Sequence, residues 1–155
     1  MNAPLAPAYA EFAIQSNFSF LRGAAHPEDL VSTCKALGMA AVGIADRNTV
    51  SGVVRAWKMA ENAGIAFHPG SRLVFSDGAP DVLAYPRDRT GWGRLCRMLT
   101  TANTRGQKGA PDLRFDDLLE WGEGLSLAAL PRLEGDAEAE LARLGALASR
   151  FGQMG

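Results

Sequence analysis

The chain has 155 residues, with 16 basic and 17 acidic side chains and a net charge of -1. Its hydrophobic content of 47% and charged content of 21% are typical of one globular domain with its own core. The charge balance excludes a wholly basic nucleic-acid coat protein, and the two cysteines exclude a disulfide scaffold and a four-thiolate zinc site. No apolar run approaches the ~20 residues of a membrane span, and the start lacks a signal-peptide pattern. We therefore expect a cytoplasmic protein with free thiols and no membrane partner.

The first half of the chain predicts strands and helices in alternation. Pro27 suits the first position of a helix, and Gly38 suits the position just after its end. A short apolar run without polar alternation follows, which is typical of a buried parallel strand. We predict a loose segment at 1–10, a strand at 11–14, a helix between Pro27 and Gly38, a strand at 40–45 and a helix at 49–62.

The second half continues the pattern with turn residues between the elements. We predict strand pieces at 65–67 and 73–75 around a turn at 69–70, a returning strand at 82–85 and a helix capped by Thr90. After these we predict a polar loop at 101–111, a short helix at 116–121, a strand at 125–130 and a helix at 136–151. The alternation favours an α/β fold with a mostly parallel sheet, in which sites gather at the carboxyl ends of the strands.

Asp46 is the first residue to consider as part of a site. It comes directly after the apolar run at 40–45, and Arg47 and Asn48 follow it. A carboxylate at this place either caps the next turn or begins a functional site, and its position alone favours the cap.

Other reactive side chains give no recognisable catalytic pattern. The two histidines, His26 and His68, form neither a His-x-His nor a His-x-x-x-His pair, and each is more simply explained as structural. Cys34 and Cys96 fall on apolar helix faces, where cysteine is more often part of the core than a nucleophile.

One stretch of the chain is strongly basic. Six basic residues lie between positions 87 and 108, against one acidic residue: Arg87, Arg89, Arg94, Arg97, Arg105 and Lys108. These side chains can contact DNA phosphates. The alternative, which we favour, is that they pair with the acidic stretch at 112–140 or form a solvated face.

Several sequence stretches carry a resemblance to a known family. They are SNFSFLRGAAHPEDLV at 16–31, GIADRN at 43–48 and SGVVRA at 51–56, continued by YPRD at 85–88, GRLCR at 93–97 and DDLLE at 116–120. They resemble the N-terminal PHP (polymerase and histidinol phosphatase) domain of bacterial C-family DNA polymerases. The similarity is greatest to the error-prone branch, which is related to the replicative alpha subunit.

The resemblance implies a partial (β/α)7 PHP-type barrel, with mostly parallel strands alternating with helices over residues 11–155. Active members hold a polynuclear site of Zn or Mn, and this chain departs from their ligands. The His-x-His pair reads Ala13 and Gln15, and the Asp-His pair reads Asp46 and Arg47. A further Asp and a Glu are replaced by Arg22 and Arg72. Only Asp46 is kept, so we expect no bound metal and no catalytic residue.

The function implied is that of a non-catalytic scaffolding module of an error-prone DNA polymerase, which copies damaged DNA. Its partners would be the remainder of the polymerase chain, other proteins of that complex and, through the parent protein, DNA. The chain is shorter than a complete barrel, so we expect a piece that stops before the barrel closes and lacks the polymerase body. The alternatives are a metal-dependent phosphoesterase or 3′-5′ exonuclease, and a free-standing interaction protein.

The vacated metal site leads to one structural expectation. A guanidinium group is always charged and binds a carboxylate through two hydrogen bonds. We expect Arg22 or Arg72, or both, to pair with Asp46 and fill the site. The alternative is that these arginines turn outward to solvent.

Overall fold

The computed structural model describes residues 8–131 and 137–152. Within these ranges no helix has the length and apolar character needed to cross a membrane. Most of the segment predicted to be loose, residues 1–10, lies outside the described residues, as does Asp136, the predicted start of the last helix. Ala10 already belongs to the first strand.

The described chain contains five strands and five helices. The strands are β1 (Ala10–Ile14), β2 (Ala41–Arg47), β3 (Ala66–Leu73), β4 (Asp81–Pro86) and β5 (Leu125–Leu130). The helices are α1 (Pro27–Ala36), α2 (Val53–Ala63), α3 (Arg89–Arg105), α4 (Phe115–Trp121) and α5 (Ala137–Phe151). Strands and helices alternate except that β4 directly follows β3 and α4 directly follows α3. The order in the sheet is β1-β2-β3-β4-β5, in which only β4 runs against its neighbours. The predicted α/β class with a mostly parallel sheet is confirmed.

The sheet curls like part of a barrel. In a flat sheet β1 and β4 would be three strand spacings apart, or about 14 Å. The ring centroids of Phe12 on β1 and Tyr85 on β4 nevertheless lie 5.6 Å apart. The Tyr85 hydroxyl donates a hydrogen bond to the Phe12 carbonyl oxygen, which closes the concave face across the two strands between them.

The opposite face of the sheet carries the helices and both apolar cores. One core packs α1 and α2 against β2, with Val31, Val42 and Ile44 fully buried. The other packs α3, α4 and α5 against β4 and β5, around Leu95 and Leu118. Burial on this single face fixes which side chains of each strand point to the concave side, where the aromatic rings lie.

The predicted turn at 69–70 is wrong, because β3 runs unbroken through Pro69 and Gly70. Pro69 pairs with Ile44 of β2, whereas β4 joins β3 only from Ser71 onward. At Pro69 the strand therefore has one neighbour, the edge-like place where a proline is tolerated. Gly70 is required because the Tyr85 ring lies where a side chain would begin.

The third helix begins earlier and ends later than predicted. Its N-terminal cap is Asp88, whose carboxylate accepts a hydrogen bond from the Gly91 amide, and not Thr90. The first part of the predicted polar loop, residues 101–105, is helical. The side chains of Asn103 and Thr104 each donate a hydrogen bond to the backbone carbonyl four residues earlier, which satisfies these polar groups within the helix. Ala102 is fully buried, so this part of the helix also contributes to the core.

Replacing Gly70 by Ala tests the packing of the concave face. The added methyl group would press on the Tyr85 ring and lie 2.9 Å from the Ala84 carbonyl oxygen. We expect the free energy of unfolding to fall by about 1–3 kcal/mol, measured by chemical denaturation. Gly93→Ala is the matched control, since it adds the same methyl group to open space in a helix and should be neutral or slightly stabilising. Equal stability of the two variants would contradict this packing.

Candidate functional site at the carboxyl ends of the parallel strands

A small cleft lies where β1, β2 and β3 end. Its lining consists of Gln15, Arg22, Arg47, Arg72, Val74 and Asp81, and its volume is about 30 Å³. Four of the six positions at which the resemblance placed degenerate metal ligands therefore come together. Ala13 and Asp46 are not among the lining residues. Asp81 reaches the cleft because β4 is antiparallel, so that its first residue lies beside the last residues of β3.

Asp46 is buried beside the cleft, with 1% of its surface exposed. One carboxylate oxygen accepts hydrogen bonds from the Ser16 amide at 2.7 Å and the Ser19 hydroxyl at 2.6 Å. The other accepts from the Ser16 hydroxyl at 2.7 Å. Three donors thus compensate the loss of hydration of this buried charge.

The expectation that Arg22 or Arg72 pairs with Asp46 is wrong. Among the described residues, no arginine lies within ion-pair distance of the Asp46 carboxylate; Arg72 binds Asp81 instead, with nitrogen-to-oxygen distances of 2.7 and 2.8 Å. The physical reason is geometric. Asp46 shares its face of β2 with Ile44, beneath the helices, whereas Arg47 and its cross-strand partner Arg72 share the concave face.

The hydrogen bonds around Asp46 also position the arginines. The Ser19 hydroxyl that donates to Asp46 accepts a hydrogen bond from the Arg47 amide at 3.0 Å. The Ser19 carbonyl accepts one from the Arg22 amide at 2.8 Å. The loop after β1 and the end of β2 are therefore held together through one serine, which sets the backbone of two arginines of the cleft.

Asn48 joins the ends of β2 and β3. Its side-chain amide donates to the Val74 carbonyl and accepts from the Val74 amide, each at 2.8 Å. Its own amide donates to the Arg72 carbonyl at 2.9 Å. Asn48 has φ of 50° and Leu21 has φ of 61°, the two non-glycine residues in the left-handed region among those described. Each stands next to an arginine of the cleft.

The charge in the cleft is mainly positive. Arg47 and Arg72 are directly opposed on neighbouring strands, and Arg22 lines the same cleft. Asp81 neutralises Arg72, while the guanidinium groups of Arg22 and Arg47 form no ion pair within the described part of the chain. Like charges placed side by side on a sheet are unfavourable unless something compensates them. Three guanidinium groups and one carboxylate therefore give the cleft a net positive charge.

Comparisons with known proteins agree with this architecture. The PHP domain family matches residues 11–152. The chain belongs to the PHP domain family. It is 61% identical over 155 residues to an error-prone DNA polymerase of Mesorhizobium japonicum, and 50% identical over 150 residues to one of Rhodopseudomonas palustris. The alignments cover 99% and 92% of this chain but 14% of each polymerase, so the chain spans about one seventh of their length.

Solved structures show the same fold. A protein from Bifidobacterium adolescentis assigned as a metal-dependent phosphoesterase matches 94% of this PHP domain and 76% of its own chain, with a TM-score of 0.68 and 16% identity. An amidohydrolase from Chromobacterium violaceum with bound sulfate and no metal matches 63% of the domain and 33% of its own chain, at a TM-score of 0.50 and 22% identity. The predicted resemblance to the PHP domain of error-prone polymerases is confirmed.

The histidines and cysteines of the PHP domain lie outside the cleft. Among the described residues, no group of three or more His, Cys, Asp or Glu side chains is placed to hold a metal ion. His26 precedes α1, with its ring 3.0 Å from the Asn17 amide, and His68 packs against Phe12. Burial raises the pKa of the Cys34 and Cys96 thiols, and Cys34 is part of the core as predicted.

The basic stretch includes two arginines that form ion pairs with the later acidic stretch. Arg94 binds Glu123 at 2.9 Å, and Arg105 binds Asp117 with both terminal nitrogens at 2.8 and 2.9 Å. Both acids belong to the acidic stretch, so the favoured alternative is confirmed for these two arginines. The remaining members are exposed side chains, for which contact with DNA stays a prediction: Arg87, Arg89, Arg97 and Lys108.

Sequence reasoning placed Asn48 in the polar cluster after β2 without giving it a role, and it missed Ser16, Ser19 and Asp81. The serines and the asparagine carried no spacing signal, because their partners lie 26 to 30 residues away along the chain. Asp81 did carry a signal. It directly precedes the returning strand predicted at 82–85, and the start of such a strand lies beside the last residues of the strand before it.

Asp46→Asn tests the buried hydrogen-bond network. Asparagine keeps one acceptor oxygen and turns an N–H₂ group toward the serine donors, so one buried bond is lost. We expect the free energy of unfolding to fall by about 1–3 kcal/mol in thermal or chemical denaturation. Asp116→Asn changes an exposed carboxylate in the first turn of α4 and should cost less than about 1 kcal/mol. Equal losses in the two variants would argue against the network.

Arg105→Gln tests the ion pair between this arginine and the buried Asp117. Burial alone would raise the pKa of Asp117, but the hydrogen bonds from Arg105 and from the Arg114 amide outweigh it and lower that pKa. This stabilisation is therefore complete above the ordinary aspartate pKa of about 3.9 and is lost as the pH falls through the lower folded-state value. We expect the variant to be less stable at neutral pH, with a shallower loss of stability in acid.

Urea denaturation at a series of pH values measures both effects. Arg97→Gln removes the same charge from the exposed face of α3 and should retain the pH profile of the parent protein. If Arg105→Gln showed the unchanged profile of Arg97→Gln, the ion pair would contribute nothing to stability.

Proposed function

We propose that this PHP domain is a non-catalytic, metal-free module that serves as a scaffold within an error-prone DNA polymerase. The observation that carries the proposal is the lining of the cleft at the strand ends. Three arginines and a glutamine stand where the resemblance places metal ligands in active members. Guanidinium groups are always protonated, offer no lone pair to a metal and repel cations.

The scaffolding role follows from what the domain retains. Its two cores, the hydrogen bonds of the buried Asp46 and the Asn48 link hold the strand ends together through contacts between protein groups. The proposed partners are the remainder of a polymerase chain and other proteins of that complex. Contact with DNA would be made through the parent protein, which would synthesise DNA across damage in the cytoplasm.

The alternative function is a metal-dependent phosphoesterase or 3′-5′ exonuclease. The fold shared with the Bifidobacterium adolescentis protein favours it. The side chains of the cleft oppose it, because a fold hosts different activities according to the residues at its site. A free-standing interaction protein is the third candidate, and co-purification with a polymerase body separates it from the scaffold.

Metal content tests the proposal. We expect protein incubated with Zn or Mn and then desalted to retain fewer than one ion per chain by elemental analysis, because the cleft lacks nitrogen and carboxylate ligands in sufficient number. A His26→Ala, His68→Ala double variant controls for ions held at surface histidines. Retention of two or more ions per chain in both proteins would contradict a metal-free module.

A further inference from the structure

We propose that the cleft formed by Arg22, Arg47 and Arg72 is a binding site for a phosphate group. This inference rests on the proposed function, since it assigns an anion to the place where active relatives hold cations. Three properties of the cleft support it: its charge, the hydrogen bonds that hold its backbone, and its size.

Of the three guanidinium charges in the cleft, only that of Arg72 has an ion-pair partner among the described residues. Arg72 is bound to Asp81 through two nitrogens, so its charge is largely answered within the protein. Arg22 and Arg47 have no side-chain hydrogen bond or ion pair among the described residues, yet both line the same small space as Arg72. A tetrahedral oxyanion bound between them would accept charge-assisted hydrogen bonds from two guanidinium forks.

Hydrogen bonds hold the backbone that carries the three arginines in place. Ser19 fixes the backbone of Arg22 and of Arg47, and Asn48 fixes that of Arg72. The left-handed conformations of Leu21 and Asn48 each carry a conformational cost that the neighbouring hydrogen bonds must offset. Residues held in this way cluster at sites where a precise backbone position is used, because a preorganised site loses less entropy on binding.

The size limits the ligand. A cavity of about 30 Å³ holds two or three times the ~10–15 Å³ needed for one water molecule. It therefore admits one compact group, such as the oxygens of a terminal phosphate, and excludes a base or a sugar. The group can come from the end of a DNA strand or from a small molecule such as pyrophosphate, and in both cases the rest of the ligand stays outside the cleft.

Isothermal titration calorimetry of this chain with pyrophosphate, and with a short single-stranded oligonucleotide bearing either a 5′-phosphate or a 5′-hydroxyl group, tests the site. We expect binding of at least one phosphorylated probe, weakened about tenfold by Arg22→Gln and by Arg47→Gln. Arg150→Gln removes the same charge from α5, outside the cleft, and should leave affinity unchanged. Asp81→Asn should bind several-fold more tightly because it frees Arg72, an effect that misfolding does not produce.

Binding of pyrophosphate identifies a small-molecule ligand, whereas preference for the 5′-phosphorylated strand over pyrophosphate and over the 5′-hydroxyl strand identifies a DNA end. Either result supports the site when the arginine variants respond. Absence of binding, or equal weakening by Arg150→Gln, overturns it. Elemental analysis of the same samples distinguishes the two proposals: metal-free protein that binds no phosphate contradicts only the anion site, while metal-loaded protein contradicts both.

Discussion

The geometry of the strand ends depends on one buried carboxylate. Asp46 is removed from water at the end of β2, and such a charge is tolerated only when hydrogen bonds replace its hydration. Its three donors come from Ser16 and Ser19, some 30 residues earlier in the chain. Satisfying the charge therefore requires the loop after β1 to fold onto β2. The positions of Arg22 and Arg47 follow from that requirement.

The same carboxylate explains how the site keeps its shape when most of the ligands typical of active members are missing. The resemblance implies that active PHP domains bind metal ions between the corresponding loops. Here serine hydroxyls and amides bind Asp46, and Asn48 ties β2 to β3. The side chains on the concave face include three arginines and form a cleft that is positively charged.

The arginines of the basic stretch differ in their structural roles. Arg105 is a structural residue, because its fork covers a buried aspartate and links the end of α3 to α4. Arg97, in contrast, is exposed and covers no buried acidic residue among those described. Counting charges along the chain treats them alike, and only the burial of the acidic partner distinguishes them.

The sequence by itself determined the family, the order of most elements and the positions at which the resemblance places the metal ligands of active members. These depend on local patterns: the caps of α1, the apolar run of β2 and the motifs around residues 16–31 and 43–48. It also identified Asp46 as the residue kept at the strand end.

Only the tertiary structure decided how those residues are used. Asp46 and Arg47 are adjacent in sequence but point to opposite faces of β2, because side chains alternate along a strand. The antiparallel course of β4 brings Asp81 to Arg72, and the serines reach Asp46 across 27 to 30 residues. The curl and the register of the sheet determine which of these distant residues meet. Both arise from packing of the whole chain, so they produce no periodic pattern in the sequence.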